Sequence, residues 1–219
     1  MEYKDRMQKM QQEIQQSIIE TAFTLYLRMG IEPVKMTDIA ETAGCGVASL
    51  YRYFGTKKEL TIRTGIHAWH LAAQMLDGIF TGVYFDRKSG IDQCAELLKI
   101  FPTVYCGHPG FIRYLSQFDA YMTKENATHA QLADYEKSIL TLQEPAMAAY
   151  KKGVADGTVR TGLDFEVFYF STTHALMALA QKLVTNGAFL ESDTRVAGET
   201  QLRTLIDIAL NYIKSEEQK

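Results

Sequence analysis

Two short apolar clusters separated by a glycine are the first feature of this sequence with a chemical use. Ala40, Gly44 and Leu50 stand in the order that two closely crossing helices require: a small residue, a glycine able to take positive φ, and an apolar plug. Ile39 and Ala43 add apolar contact from the first helix, and Val47 and Phe54 fall on the same face of the second as Leu50. Gly46, Ala48, Ser49, Arg52 and much of Tyr53 are then expected to face outward. From Cys45 to Arg63 the basic Arg52, Lys57, Lys58 and Arg63 stand against one acid, Glu59, so that phosphates would meet this segment.

Other chemistry-bearing residues make weaker constellations. Gly44-Cys45-Gly46 suggests a phosphate loop, but Ser49 stands where a third glycine would be and no strand precedes it, so it reads as a turn. His67 and His70 lie three apart on one helix without an acidic or Cys partner nearby, and Cys106 with His108 is no better placed, so no metal site is expected. Cys45 lies in the turn itself, where a small packed thiol explains it as well as redox control would. There is no nucleophile and base pair, and no cofactor is expected.

The elements that must position these residues read as helices. Ile14, Ile18, Ala22 and Tyr26 form one stripe of a long first helix that Gly30 stops. Thr37 is a good N-cap for a short helix from Asp38 to Ala43, and a second runs from about Val47 to Phe54, where Gly55 ends it. Thr56 and Glu59 form a capping box for the next helix, whose stripe reads Ile62, Ile66, Trp69, Ala73, Leu76, Phe80. After a loop from Thr81 to Gly90, periodic segments cover roughly Ile91 to Tyr105, Pro109 to Met122, His129 to Ala155, Phe165 to Asn186 and Arg195 to Lys214. Pro145 should end or kink its helix. The fold class is all-α, with about nine helices.

Composition bounds the reading. A chain of 219 residues with 47% hydrophobic residues can hold one large domain or a small one joined to a medium one, and only four prolines favour helix nearly throughout. Cys45, Cys94 and Cys106 are too few and too irregular for a disulfide framework, which fits a reducing, cytoplasmic compartment. The N-terminus is charged and glutamine-rich, and no run reaches about 18 apolar residues, so neither export nor a membrane span is expected. A net charge of −3 gives no global sign of nucleic-acid binding; any basic footprint must be local.

The stretch from Met36 to Leu60 resembles the DNA-binding signature of the tetracycline-repressor (TetR) family, most strongly in Leu50-Tyr51-Arg52-Tyr53-Phe54 followed by Thr56-Lys57-Lys58-Glu59-Leu60. Cys45-Gly46-Val47 departs from the Val-Ser-Lys of many relatives, so the family's contacts at those positions do not carry over. The resemblance implies a helix-turn-helix domain over 1–60 and a ligand-binding and dimerisation domain over 61–219. It suggests Thr37, Tyr51, Tyr53 and Lys57 for phosphate contact. By residue type, base edges would fall to Ser49 and Arg52, with Val47 and Ala48 available to touch thymine methyls and Gly46 on the same surface. The aromatic and Met series Phe101, Tyr105, Phe111, Tyr114, Phe118, Met147, Tyr150, Phe168, Tyr169 and Met177 is mostly core, and is also where the family binds its effector. The last two long helices, through Leu176, Leu179, Leu183, Leu202, Leu205, Ile206, Ala209 and Ile213, would pair with a symmetry mate. The expectation is a ligand-responsive repressor that grips a palindromic operator as a homodimer. The alternative is an all-α small-molecule-binding protein or enzyme using the aromatic region.

Overall fold

The computed structural model describes residues 2–80, 82–186 and 189–215, and side chains over 5–75, 82–186 and 189–215. The expected stripe residues Leu76 and Phe80 lie outside the described side chains. In chain order the helices are α1 (Glu2–Met29), α2 (Met36–Thr42), α3 (Val47–Phe54), α4 (Lys57–Phe80), α5 (Val83–Asp86), α6 (Gly90–Leu98), α7 (Ile100–Gly107), α8 (Pro109–Lys124), α9 (His129–Leu140), α10 (Gln143–Ala155), α11 (Phe165–Asn186), α12 (Glu191–Thr194) and α13 (Gly198–Ile213). Among the described residues there is no strand, only one isolated antiparallel bridge between Val159 and Lys214.

These thirteen segments exceed the nine or so expected. Two are single turns, α5 and α12. The others arise where proline interrupts an expected continuous helix. Pro102 has no N–H to give the carbonyl of Leu98 and its ring would strike it, so α6 stops at Leu98 and α7 starts afresh at Ile100. Pro145 acts in the same way: α9 ends at Leu140 and α10 begins at Gln143.

Contacts divide the chain into two compact units, Met1–Leu71 with Tyr114–Ser138, and Ala72–Arg113 with Ile139–Lys219. The expected division at residue 60 therefore differs from the packing, which places the start of α4, the second half of α8 and α9 with the N-terminal helices.

In the first unit Ile18, Ala22, Tyr26, Ile31, Ile39, Leu50 and Leu60 form a core with Tyr114 and Phe118, all essentially inaccessible to solvent. Burying each of the larger apolar side chains contributes about 1.5–3 kcal/mol. Tyr114 meets Phe23 edge-on at 5.0 Å and shares a hydrogen bond of 2.8 Å with the Thr64 hydroxyl. Phe118 stacks on Tyr135 at 4.3 Å. In the second unit α6 packs on α10 and α11 on α13, with α7 beside the latter pair. The crossing of α6 and α10 is unusually close, for a Cβ on Gly90 would sit 1.9 Å from the backbone nitrogen of Gly153.

Candidate nucleic-acid interface

The geometry of α2, turn and α3 follows from a few residues. Lys35, not Thr37, takes the N-cap position of α2, because the Asp38 carboxylate reaches back to accept the Lys35 N–H at 2.8 Å; Thr37 lies exposed in the first turn. Gly44 takes φ +66°, a conformation that costs an L residue with a Cβ, and this lets Cys45 N–H reach the Ala40 carbonyl at 2.9 Å. The turn delivers α3 with Leu50 fully buried and Phe54 6% exposed. Ile39 and Ala40 meet them from α2, both buried. Val47 departs from expectation: 37% of it stays exposed instead of packing with Leu50. At the next junction Thr56 caps α4 by accepting Glu59 N–H at 3.1 Å. The reciprocal half of the capping box is not formed, for Thr56 N–H goes to the Phe54 carbonyl and the Glu59 carboxylate pairs with Arg63 at 3.3 Å.

What α3 presents is an apolar and cationic face. Gly46, Val47, Ala48, Tyr51 and Arg52 are exposed, with Ser49 and Tyr53 half-buried beside them. Arg52 Nη2 donates to Ser49 Oγ at 3.3 Å, and its guanidinium carbon lies 5.2 Å from the Tyr53 ring centroid. Lys57 donates to the Glu32 carbonyl at 3.0 Å and lies 5.3 Å from the Tyr121 ring; partial burial pulls its pKa down. Lys58 turns away from this face, donating to the Glu125 carbonyl at 3.4 Å and the Gln131 side chain at 3.5 Å.

Two anchors of this head have no short-range signal in the sequence. Gln117 Oε1 accepts the Ile31 N–H at 3.2 Å, and Lys124 pairs with Glu32 across 92 positions of chain. Both partners of that ion pair are more than half exposed, so it orients the loop and adds little stability.

The ten aromatic and Met residues expected around an effector are divided between the two units. Tyr114 and Phe118 belong to the core of the first unit, with the Tyr114 hydroxyl already satisfied by Thr64. Burial holds that hydroxyl's pKa well above the usual tyrosine value. The other eight fall in the second unit. There Phe101 and Tyr105 pack on the cluster of α11 and α13. Met147, Tyr150 and Tyr169 belong to a second cluster around Phe165 and Ile213, and Phe168 touches both clusters. Phe165 meets Tyr150 at 5.2 Å and stacks on Tyr169 at 5.5 Å. Phe111 and Met177 are half-buried elsewhere in that unit.

The eight residues expected at a dimer interface lie on the intended helices, and most of them face the chain's own core. Leu176, Leu183, Leu202, Ile206, Ala209 and Ile213 are buried inside the chain's own core, and Leu179 and Leu205 are half-buried. The strongest apolar stripe of each helix is consumed where α11 meets α13. The outward stripes carry Val167, Ser171, Ala175, Ala178 and Lys182 on α11, and Thr204, Ile208 and Tyr212 on α13.

Of the remaining groups, His67 accepts from Gln16 Nε2 at 3.3 Å and meets Phe23 edge-on, and burial lowers its pKa. Cys94 is buried, its thiol pushed up to about 12 by desolvation.

Residues 18–64 match the model of bacterial regulatory proteins of the tetR family. These are the residues that build the α2–turn–α3 geometry. That segment matches the tetR-family DNA-binding region and carries the helix-turn-helix. With that domain match and the relatives below, the chain is read as a transcriptional regulator with a helix-turn-helix domain, which displaces the enzyme reading. It is 24% identical over 156 residues to the HTH-type transcriptional repressor KstR2 of Rhodococcus jostii, covering 69% of this chain and 71% of that one. A protein from Saccharomonospora viridis solved in complex with choline shares the fold, with a TM-score of 0.71 over 94% of this chain and 100% of that one at 17% identity. The regulator FadR of Bacillus subtilis, in complex with stearoyl-CoA, does so with a TM-score of 0.64 over 90% of this chain and 98% of that one at 14% identity. Among the described helices none is long and apolar enough to cross a membrane.

Proposed function

We propose that this regulator is a cytoplasmic homodimeric repressor that occupies a palindromic operator and leaves it when a small, largely hydrophobic or aromatic ligand binds its second unit. The observation that carries the reading is the exposed face of α3, with Arg52 outward on the same short helix whose Leu50 and Phe54 are buried. Residues 1–60 are the DNA-reading part. Arg52 reads a base edge, Val47 and Ala48 lie against thymine methyls, and Thr37, Tyr51, Tyr53 and Lys57 meet phosphates. One eight-residue helix gives modest affinity; two, held about 34–36 Å apart, grip successive major grooves of a palindrome. The ligand site is assigned to Met147, Tyr150, Phe168 and Tyr169, with Phe101 and Tyr105 beside them. That two fold relatives were solved with small molecules, and that one sequence relative is a repressor, agrees with an effector-released repressor.

Release requires differential affinity. A ligand that prefers a conformer poor at binding the operator must be weakened by operator to the same factor by which it weakens operator binding. A thermal-shift screen finds ligands, because one at 100 times its dissociation constant adds about 2.7 kcal/mol. A stabilising ligand is expected to lower operator affinity; if every such ligand leaves operator affinity unchanged, the chain is not effector-released.

A further inference from the structure

The structure assigns Ser49 a role other than base reading: we infer that Ser49, with the Tyr53 ring, positions the Arg52 guanidinium for guanine, which makes it a specificity-determining residue of the second order. The inference rests on the proposal that α3 reads an operator, and goes beyond it by separating the reader from its support. Ser49 and Arg52 are three apart, so they are neighbours on one helix face. Arg52 Nη2 donates to Ser49 Oγ at 3.3 Å. The guanidinium carbon also lies 5.2 Å from the Tyr53 ring, inside the range of a cation–π contact. Tyr53 is itself half-buried and set edge-on to the buried Phe54 at 6.5 Å, so it is a fixed platform.

Two contacts restrict an otherwise long and mobile side chain. A guanidinium has five N–H donors in a rigid fork, so one spent on Ser49 leaves an edge free for the O6 and N7 of guanine. The Ser49 hydroxyl accepts from Arg52 and is half-buried, which leaves it poorly placed to take an independent base contact.

The test uses the full chain and a duplex enriched by the wild-type protein from a random-sequence pool, together with every single-base-pair variant of it. Arg52→Ala is expected to lose discrimination at one base pair per half-site. Ser49→Ala should lose about fivefold to tenfold at that same base pair and nowhere else, because a hydrogen bond to a charged group is removed. Ser49→Thr, which keeps the hydroxyl, should restore it, and the double variant should bind no worse than Arg52→Ala. If Ser49→Ala instead loses discrimination at a different base pair, or its effect adds in full to that of Arg52→Ala, Ser49 is a reader and the inference is overturned. A Ser49→Ala protein with unchanged discrimination overturns it as well. Failure of the wild-type chain to enrich any sequence would overturn operator binding itself, a distinct outcome.

Discussion

In the proposed operator complex Arg52 and Lys57 carry different kinds of contact although both are cations near one surface. Arg52 sits on the exposed face of α3, whereas Lys57 opens α4 and is held by the Glu32 carbonyl, with two of its three donors still available. Arg52→Ala should therefore weaken the operator more than a scrambled duplex, by about 1–3 kcal/mol of discrimination. Lys57→Ala should weaken both equally and reduce the slope of affinity against salt by about one per subunit. Titrating both variants on both duplexes at several salt concentrations separates the roles; an Arg52→Ala protein with its full specificity ratio would give base reading to other residues. The sequence made this outward face legible because the apolar positions of α3 are few and fixed. It did not reveal that Asp38 reaches back to cap α2 from Lys35, since Thr37 is an equally good cap by type and only backbone geometry decides between them.

At the scale of elements, the helices of the head were legible from Gly44, Gly55 and Thr56, because turn and cap signals act within four residues. Further along, Pro145 announced the break between α9 and α10, but Pro102 sits inside otherwise continuous apolar periodicity, and a pattern search runs across the break that its missing N–H creates. Close packing was not legible either. Nothing near Gly90 in the chain announces that its Cα hydrogen faces the backbone of Gly153. Gly90→Ala should force α6 and α10 apart, since a Cβ would overlap backbone and no rotamer can relieve it. The expected cost is about 3 kcal/mol, at the upper end for overpacking. Thermal unfolding measures it, and a Tm within a degree of wild type would contradict the close crossing.

The same limit shapes the whole molecule. Periodicity finds the most apolar stripe of α11 and α13, and that stripe is used up inside the chain, where Leu176, Leu202 and Ile213 are fully buried. A partner subunit can meet only what remains outside, which includes Ala175 and Ile208, the latter 60% exposed. Ala175→Arg or Ile208→Asp should leave helix content intact and yield a monomer in light scattering, whereas Ile206→Asp should unfold the second unit by burying an unpaired charge. A dimer that survives both outward changes at micromolar concentration lies on another surface. Two subunits matter in the proposed function because specificity is multiplied by joining half-sites, so a dimer of this chain should read DNA sequence far better than one head alone. The most direct test is the ratio of affinities of the wild-type chain for its enriched duplex and for a scrambled one of equal length, at near-physiological salt. A ratio of about 10³ or more, with two chains per duplex, is the predicted result; equal affinity for the two duplexes would contradict it.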